Sequence, residues 1–292
     1  MSTATPAHPE PLLPRVLSAL REAGHDPDQL DPEALARFEH LHTLGRWATA
    51  ALADACAITA SDHVLDVGCG VAGPARHLAR LRGCRVVGVD LTTDFLAVAA
   101  DLNARLHLSG RVSVCAGDAV HLPFAASTFD VVWTQHVAMN IADKSRLYHE
   151  LRRVIRPGGR LGLFDIVAGE CNEGVIHLPV PWATDSSQNH LVPATAIRAL
   201  LEDAGFRVTV FEDSTYDEMG PPPPPEDPQP LPPPPWAVTG RARRPAAAAH
   251  PSPLGLHLIM GGLLPVKVAN AERNFDEGRI RLLRCVAVAD GR

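Results

Sequence analysis

The run from Val64 to Ala79, VLDVGCGVAGPARHLA, constrains the fold more than any other stretch of the chain. A short apolar strand passes through an acid at Asp66, breaks into Gly68, Gly70 and Gly73, and gives way to a helix starting near Pro74. Glycine tolerates positive φ and has no Cβ to hold a ligand off the main chain. The first turn of the helix then presents N–H groups that have no partner within the helix. A backbone of this kind lies flat against a nucleoside.

Taken as a pattern, Gly68-Cys69-Gly70-Val71-Ala72-Gly73 satisfies the G-x-G-x-x-G of dinucleotide sites. Asp66 is the discordant letter. A carboxylate two residues before the first glycine repels a pyrophosphate and favours a cation. S-adenosylmethionine, with its sulfonium and ammonium groups, suits such a turn better than NAD does.

Composition narrows the partners. The 292 residues suit one large α/β domain with additions. A formal charge of -6 gives no general attraction to nucleic acid or to an anionic membrane, so a small-molecule substrate is expected. No apolar run approaches membrane-spanning length, and the opening MSTATPAHPEP lacks a basic start and apolar core, so a cytoplasmic location is expected. The six cysteines, Cys56, Cys69, Cys84, Cys115, Cys171 and Cys285, form no C-x-x-C pair. They are expected to be reduced, with neither a metal nor disulfides.

The chain divides by pattern. Residues 1–57 read as a helical cap, with one helix through LLPRVLSALREAG and another through PEALARFEHLHTLGRWATAALADA. Residues 58–213 alternate β-branched runs with amphipathic helices, which implies a parallel sheet covered on both faces. Within them, 169–192 is a long insertion read as a lid. In residues 214–253, PPPPPEDPQPLPPPPW reads as an extended surface loop. Residues 254–292 read as a helical and loop segment with a last strand that completes the core.

Further signals stand at the ends of successive strands. Asp90 lies about 20 residues past the glycine turn, where a carboxylate accepts hydrogen bonds from ribose hydroxyls. Asp118, in CAGDAVHLPF, can take an adenine amino proton while Ala119 offers its N–H. WTQHVAMN follows the fourth strand, and RVIRPGGRL introduces the fifth.

With LDVGCG, GVD, GDAVHLPF, FDVVWTQH and RVIRPGGRL together, the sequence resembles the class I S-adenosylmethionine-dependent methyltransferases. Within them it is similar to the bacterial small-molecule group that includes ubiquinone-type C-methyltransferases and sarcosine- or dimethylglycine-type N-methyltransferases. The resemblance implies an α/β, Rossmann-like fold: a doubly wound, mostly parallel seven-stranded sheet with N-terminal helices and a lid. It implies that Asp66, Gly68, Cys69, Gly70, Gly73 and Gln135 surround the methionine portion of the cofactor. Asp90 would hold the ribose, Leu91 one adenine face, and Asp118 with Ala119 the adenine edge. FEHLHTLGRWAT resembles the helix that folds over the cofactor in this group, which adds His42 and Arg46.

S-adenosylmethionine brings an activated methyl group, so the protein must mainly align a nucleophile and exclude water. His136 and Asn140 are the expected catalytic or substrate contacts, His136 as a general base. Met139, Glu170 and Trp182 are expected to complete the substrate wall. Lys144 and Arg146 read as solvated charges. The expected reaction is methyl transfer to O, N or C of a small metabolite, in secondary metabolism, by a monomer or homodimer that releases S-adenosylhomocysteine. The alternatives are a cyclisation or rearrangement on the same fold and, with only the glycine pattern in its favour, an NAD-type oxidoreductase.

Overall fold

The protein is described from a computed structural model, which covers residues 11–36, 38–170, 175–215 and 253–290. The expectations for the proline-rich tract and for Cys171 lie outside these residues.

Seven strands form one sheet in the order β3-β2-β1-β4-β5-β7-β6. They are β1 (His63–Val67), β2 (Arg85–Asp90), β3 (Val112–Ala116), β4 (Phe129–Gln135), β5 (Ile155–Ala168), β6 (Phe206–Asp213) and β7 (Ile280–Ala289). The first five pair in parallel, and β7 runs antiparallel between β5 and β6. The central strands are buried on both faces, hence their near-continuous apolar runs. This is the doubly wound α/β fold anticipated from sequence.

The helices sort into two layers. Helices α3 (Gly45–Ala55), α4 (Gly73–Arg82) and α9 (Leu264–Asp276) pack on the face that carries Val64, Val131 and Trp133. Helices α6 (Lys144–Val154) and α7 (Ala194–Asp203) cover the opposite face, with Leu65, Val132 and Leu163. A third cluster joins α1 (Leu12–Glu22), Phe38, α5 (Thr93–Arg105) and the short α8 (His257–Met260), so segments from both ends of the chain close one edge. Among the described residues no helix is long and apolar enough to cross a membrane.

The long helix expected after Asp31 is not formed. Helix α2 covers only Pro32–Leu35, with the Asp31 carboxylate accepting from Glu33 N at its start. Residues 38–44 run irregularly, and Leu44 takes φ 64. Tertiary partners account for the break. Phe38 is buried in the third cluster, Glu39 pairs with Arg76 on α4, and His42 reaches Thr49 on α3. One straight helix cannot turn these neighbouring side chains in three directions.

Candidate active site

The chain builds outward in both directions from the adjacent strands β1 and β4, and the crevice where the order reverses is where open α/β sheets bind ligands. Here a cavity of about 580 Å³ opens at the carboxyl ends of the strands. Val67, Gly68 and Gly70 line it from β1, Asp90, Leu91 and Thr92 from β2, and Asp118 with Ala119 from β3. Gln135, His136, Met139 and Asn140 line it after β4, and Ile166 from β5.

The glycine turn is held by strand β2. Gly68 N and Cys69 N both donate to the Val89 carbonyl, at 2.8 and 3.1 Å. Gly68 has φ +70, and a Cβ there would lie 2.4 Å from Val137 Cγ2. Asp90 locks the turn from the side: Oδ2 accepts from Gly70 N at 2.9 Å and Oδ1 from Thr92 N at 2.8 Å. Each carboxylate oxygen keeps a further lone pair for a ligand hydroxyl. Asp118 Oδ1 accepts from Val120 N at 3.0 Å, which fixes the turn after β3.

On the other side Gln135 is tied down by its oxygen. Trp133 Nε1 donates to Oε1 at 3.0 Å, and Thr49 Oγ1 stands 3.2 Å from the same atom. Thr49 also meets His42 Nε2 at 3.1 Å, so one hydroxyl proton serves two acceptors. Gln135 Nε2 is left buried without a partner. Burial lowers the His42 pKa to about 4, so its ring is neutral.

His136 takes φ +55, with its N–H on the Phe164 carbonyl at 2.8 Å and its ring stacked on Phe164 at 5.4 Å between centroids. Burial holds its pKa well below the ordinary imidazole value, and Nε2 has no partner. Asn140 Oδ1 is likewise buried and unpartnered. The loop that carries them is pinned by Asp165, whose Oδ2 accepts from Ala138 N at 2.6 Å. Trp182 lines the far wall and donates Nε1 to Asn189 Oδ1 at 3.0 Å.

Several expected contacts lie elsewhere. Asp66 does not line the cavity: it is 2% exposed between Gly88 and Trp133 in register, with Oδ2 unpartnered. Burial, and then the Asp90 carboxylate, push its pKa up to about 8. Cys69 turns its thiol onto β2, and only the missing Cβ of Gly88 leaves room for it. Gly73 serves packing, because a Cβ there would lie 2.2 Å from the Glu39 carbonyl oxygen. Arg46 points away to Glu33, at 2.7 Å, and to the Pro32 carbonyl. Glu170 is exposed at the turn leaving β5, where Gly169 N binds the Arg279 carbonyl. Lys144 is no solvated charge, since it is buried and donates to the Ile141 and His190 carbonyls.

One wall escaped sequence reading. Leu256, Ile259 and Met260 around α8, and Leu264, Lys267, Val268, Ala271, Glu272 and Phe275 on α9, complete the cavity. The spacing of Leu264, Val268, Ala271 and Phe275 is a helical stripe that could have revealed it.

Residues 65–163 match the family model described as a methyltransferase domain. Methyltransferase GfsG of Streptomyces halstedii is 35% identical over 189 residues, 64% of this chain and 65% of that protein. A sterol 24-C-methyltransferase of Eremothecium gossypii is 36% identical over 137 residues, 47% of this chain and 34% of that protein. The chain thus spans 65% and 34% of the length of these two curated relatives. Among solved structures, the [4+2]-cyclase SpnF superposes with a TM-score of 0.62 at 20% identity, covering 96% of this chain and 93% of the other.

Proposed function

The chain carries a class I S-adenosylmethionine-dependent methyltransferase domain, and from that premise we propose that it transfers a methyl group to a small-molecule metabolite held in the outer half of the cavity. The observation that carries this reading is the convergence of Gly68, Gly70, Asp90, Asp118 and Gln135 on one cavity from four successive strand ends.

The residues present fit the cofactor. The Gly68 turn is a cradle that a Cβ would fill, and Gln135 Nε2 is a buried donor lacking an acceptor. In this reading Asp90 holds the ribose hydroxyls, Leu91 covers one adenine face, and Asp118 with Ala119 N–H reads the adenine edge. Gln135 and the Gly68–Gly70 backbone hold the methionine portion, and His42 closes over it. Asp66 acts from beneath the turn, as a buried acid that gains from a nearby cation. When bound, S-adenosylmethionine supplies a methyl group already activated for in-line attack.

The remaining work is positioning, which is worth about 7–11 kcal/mol when two reactants are held in line. His136, neutral at pH 7, offers Nε2 as an acceptor for the O–H or N–H of the incoming nucleophile, and Asn140 Oδ1 offers a second. A pKa far below neutrality makes His136 a weak base that orients the nucleophile more than it stores a proton. Trp182 and the α8–α9 wall exclude water. The segment 169–192 contributes through Trp182 rather than through Glu170, and secondary metabolism remains the expected setting.

The test is calorimetric titration of the full chain with S-adenosylhomocysteine, followed by turnover with S-adenosylmethionine and a panel of apolar metabolites. Binding that is lost in Asp90→Ala, and stoichiometric formation of S-adenosylhomocysteine with the methylated product, are expected. A product formed without S-adenosylhomocysteine would identify a cyclisation or rearrangement instead. Absence of binding overturns the reading.

A further inference from the structure

Helix α9 turns Leu264, Lys267, Val268, Ala271, Glu272 and Phe275 toward the cavity, at the three- and four-residue spacings of one helical face. Four of the six are apolar, one is the carboxylate Glu272, and the sixth is a lysine that is only 9% exposed. Among the described residues Lys267 has no ion-pair or hydrogen-bond partner for Nζ. The one other lysine of the chain, Lys144, is also buried, but its Nζ donates to two carbonyls. A lysine whose stem is largely buried and whose ammonium opens onto a cavity gains from an anion placed there.

The rest of the lining narrows what that anion is. Among the described residues that line the cavity there is no arginine, and Lys267 is the single side chain with a standing positive charge. His42 and His136 are neutral, while Asp90, Asp118, Asp143 and Glu272 also line the cavity. A phosphate or diphosphate needs several cations or an arginine fork. One lysine among four acids suits a single negative charge. Leu264, Val268, Phe275, Met260 and Trp182, which line the same cavity, suit an apolar body.

We propose that Lys267 anchors one anionic oxygen, a carboxylate or an ionised enol or phenol, on an otherwise apolar methyl acceptor. This rests on the cavity being the acceptor site of a methyltransferase, and it adds the acceptor's chemical class and the residue that selects it.

The experiment titrates the full-length protein, with and without saturating S-adenosylhomocysteine, with naphthoate, naphthalenemethanol and naphthyl phosphate. The same titrations are made on Lys267→Met and Lys267→Arg. Naphthoate is expected to bind the wild type at least tenfold more tightly than Lys267→Met, with most of the affinity kept in Lys267→Arg. Naphthalenemethanol is expected to bind wild type and Lys267→Met alike, and naphthyl phosphate no more tightly than naphthoate. Lys267→Met is expected to keep its affinity for S-adenosylhomocysteine and its Tm, since among the described residues Nζ makes no hydrogen bond or ion pair that the substitution would break.

Equal naphthoate binding in Lys267→Met, absence of naphthoate binding to the wild type, an equal loss for the alcohol, or a preference for the phosphate each overturns the assignment. Failure of the wild type to bind S-adenosylhomocysteine is a separate result: it overturns the methyltransferase reading, while the naphthoate arm without cofactor still judges Lys267.

Discussion

Gly70 donates its backbone N–H to Asp90 Oδ2 across 2.9 Å, which ties the glycine turn after β1 to the end of β2. The residue expected to hold the ribose is therefore also the residue that shapes the turn. Asp90→Ala is predicted to lower S-adenosylhomocysteine affinity by about 3–6 kcal/mol, two hydrogen bonds to a charged group. It is predicted to lower Tm as well, because Gly70 N loses its acceptor. A variant with unchanged affinity would remove Asp90 from the site.

Gly68 is predicted to be irreplaceable for two separable reasons. Gly68→Ala meets Val137 Cγ2 at 2.4 Å and must also hold φ +70, for a combined loss of about 2–4 kcal/mol. Adding Val137→Ala should relieve the clash and leave about 1–2 kcal/mol of backbone strain. Denaturant unfolding of the single and double variants checks this, and a double variant as unstable as Gly68→Ala would assign the whole cost to the backbone.

Asp66 links pH to binding. Its folded pKa of about 8 lies above its ordinary value of 3.8, so the native state keeps a proton that the unfolded chain has lost within that window. The unliganded protein is predicted to lose stability as pH rises from about 4 to about 8. A cationic ligand above Asp66 reverses the preference and expels the proton. Titration with S-adenosylmethionine at pH 7, in two buffers of different ionisation enthalpy, should therefore show release of up to one proton, absent in Asp66→Asn. Identical heats in both buffers count against the link.

Arg76 holds the irregular segment in place over the cavity. It is 2% exposed, with Nε and Nη2 on Glu39 Oε2 at 3.1 and 2.9 Å and Nη1 on Asn103 Oδ1 at 3.0 Å. Arg76→Met leaves the buried Glu39 carboxylate with only the more distant Arg46 Nη2, at 3.9 Å, as a cation and is predicted to cost about 3–5 kcal/mol. The double variant with Glu39→Met should recover part of that loss, and thermal unfolding of the two reports whether it does.

Much of this was legible in the chain. The strands of a parallel sheet are buried on both faces, so Val64–Val67 and Phe129–Gln135 are visible as apolar runs. Asp90 and Asp118 are visible because they end strands, and strand ends of such sheets face the ligand. The irregular run between α2 and α3 was not legible, because its apolar residues keep helical spacing while their partners lie in three directions. Arg46 and Glu170 were misplaced because Glu33 and solvent claim the side chains, which spacing along the chain does not show.

The sequence by itself determined the kind of sheet, the glycine turn and the class of cofactor, because local backbone geometry and strand-end chemistry are set by residues near one another along the chain. Only the tertiary structure decided which distant segments complete the cavity. Asp66 withdrew beneath the turn, and α9 brought Lys267 to the cavity from the far end of the chain, since burial and close approach depend on packing between segments that share no sequence neighbourhood.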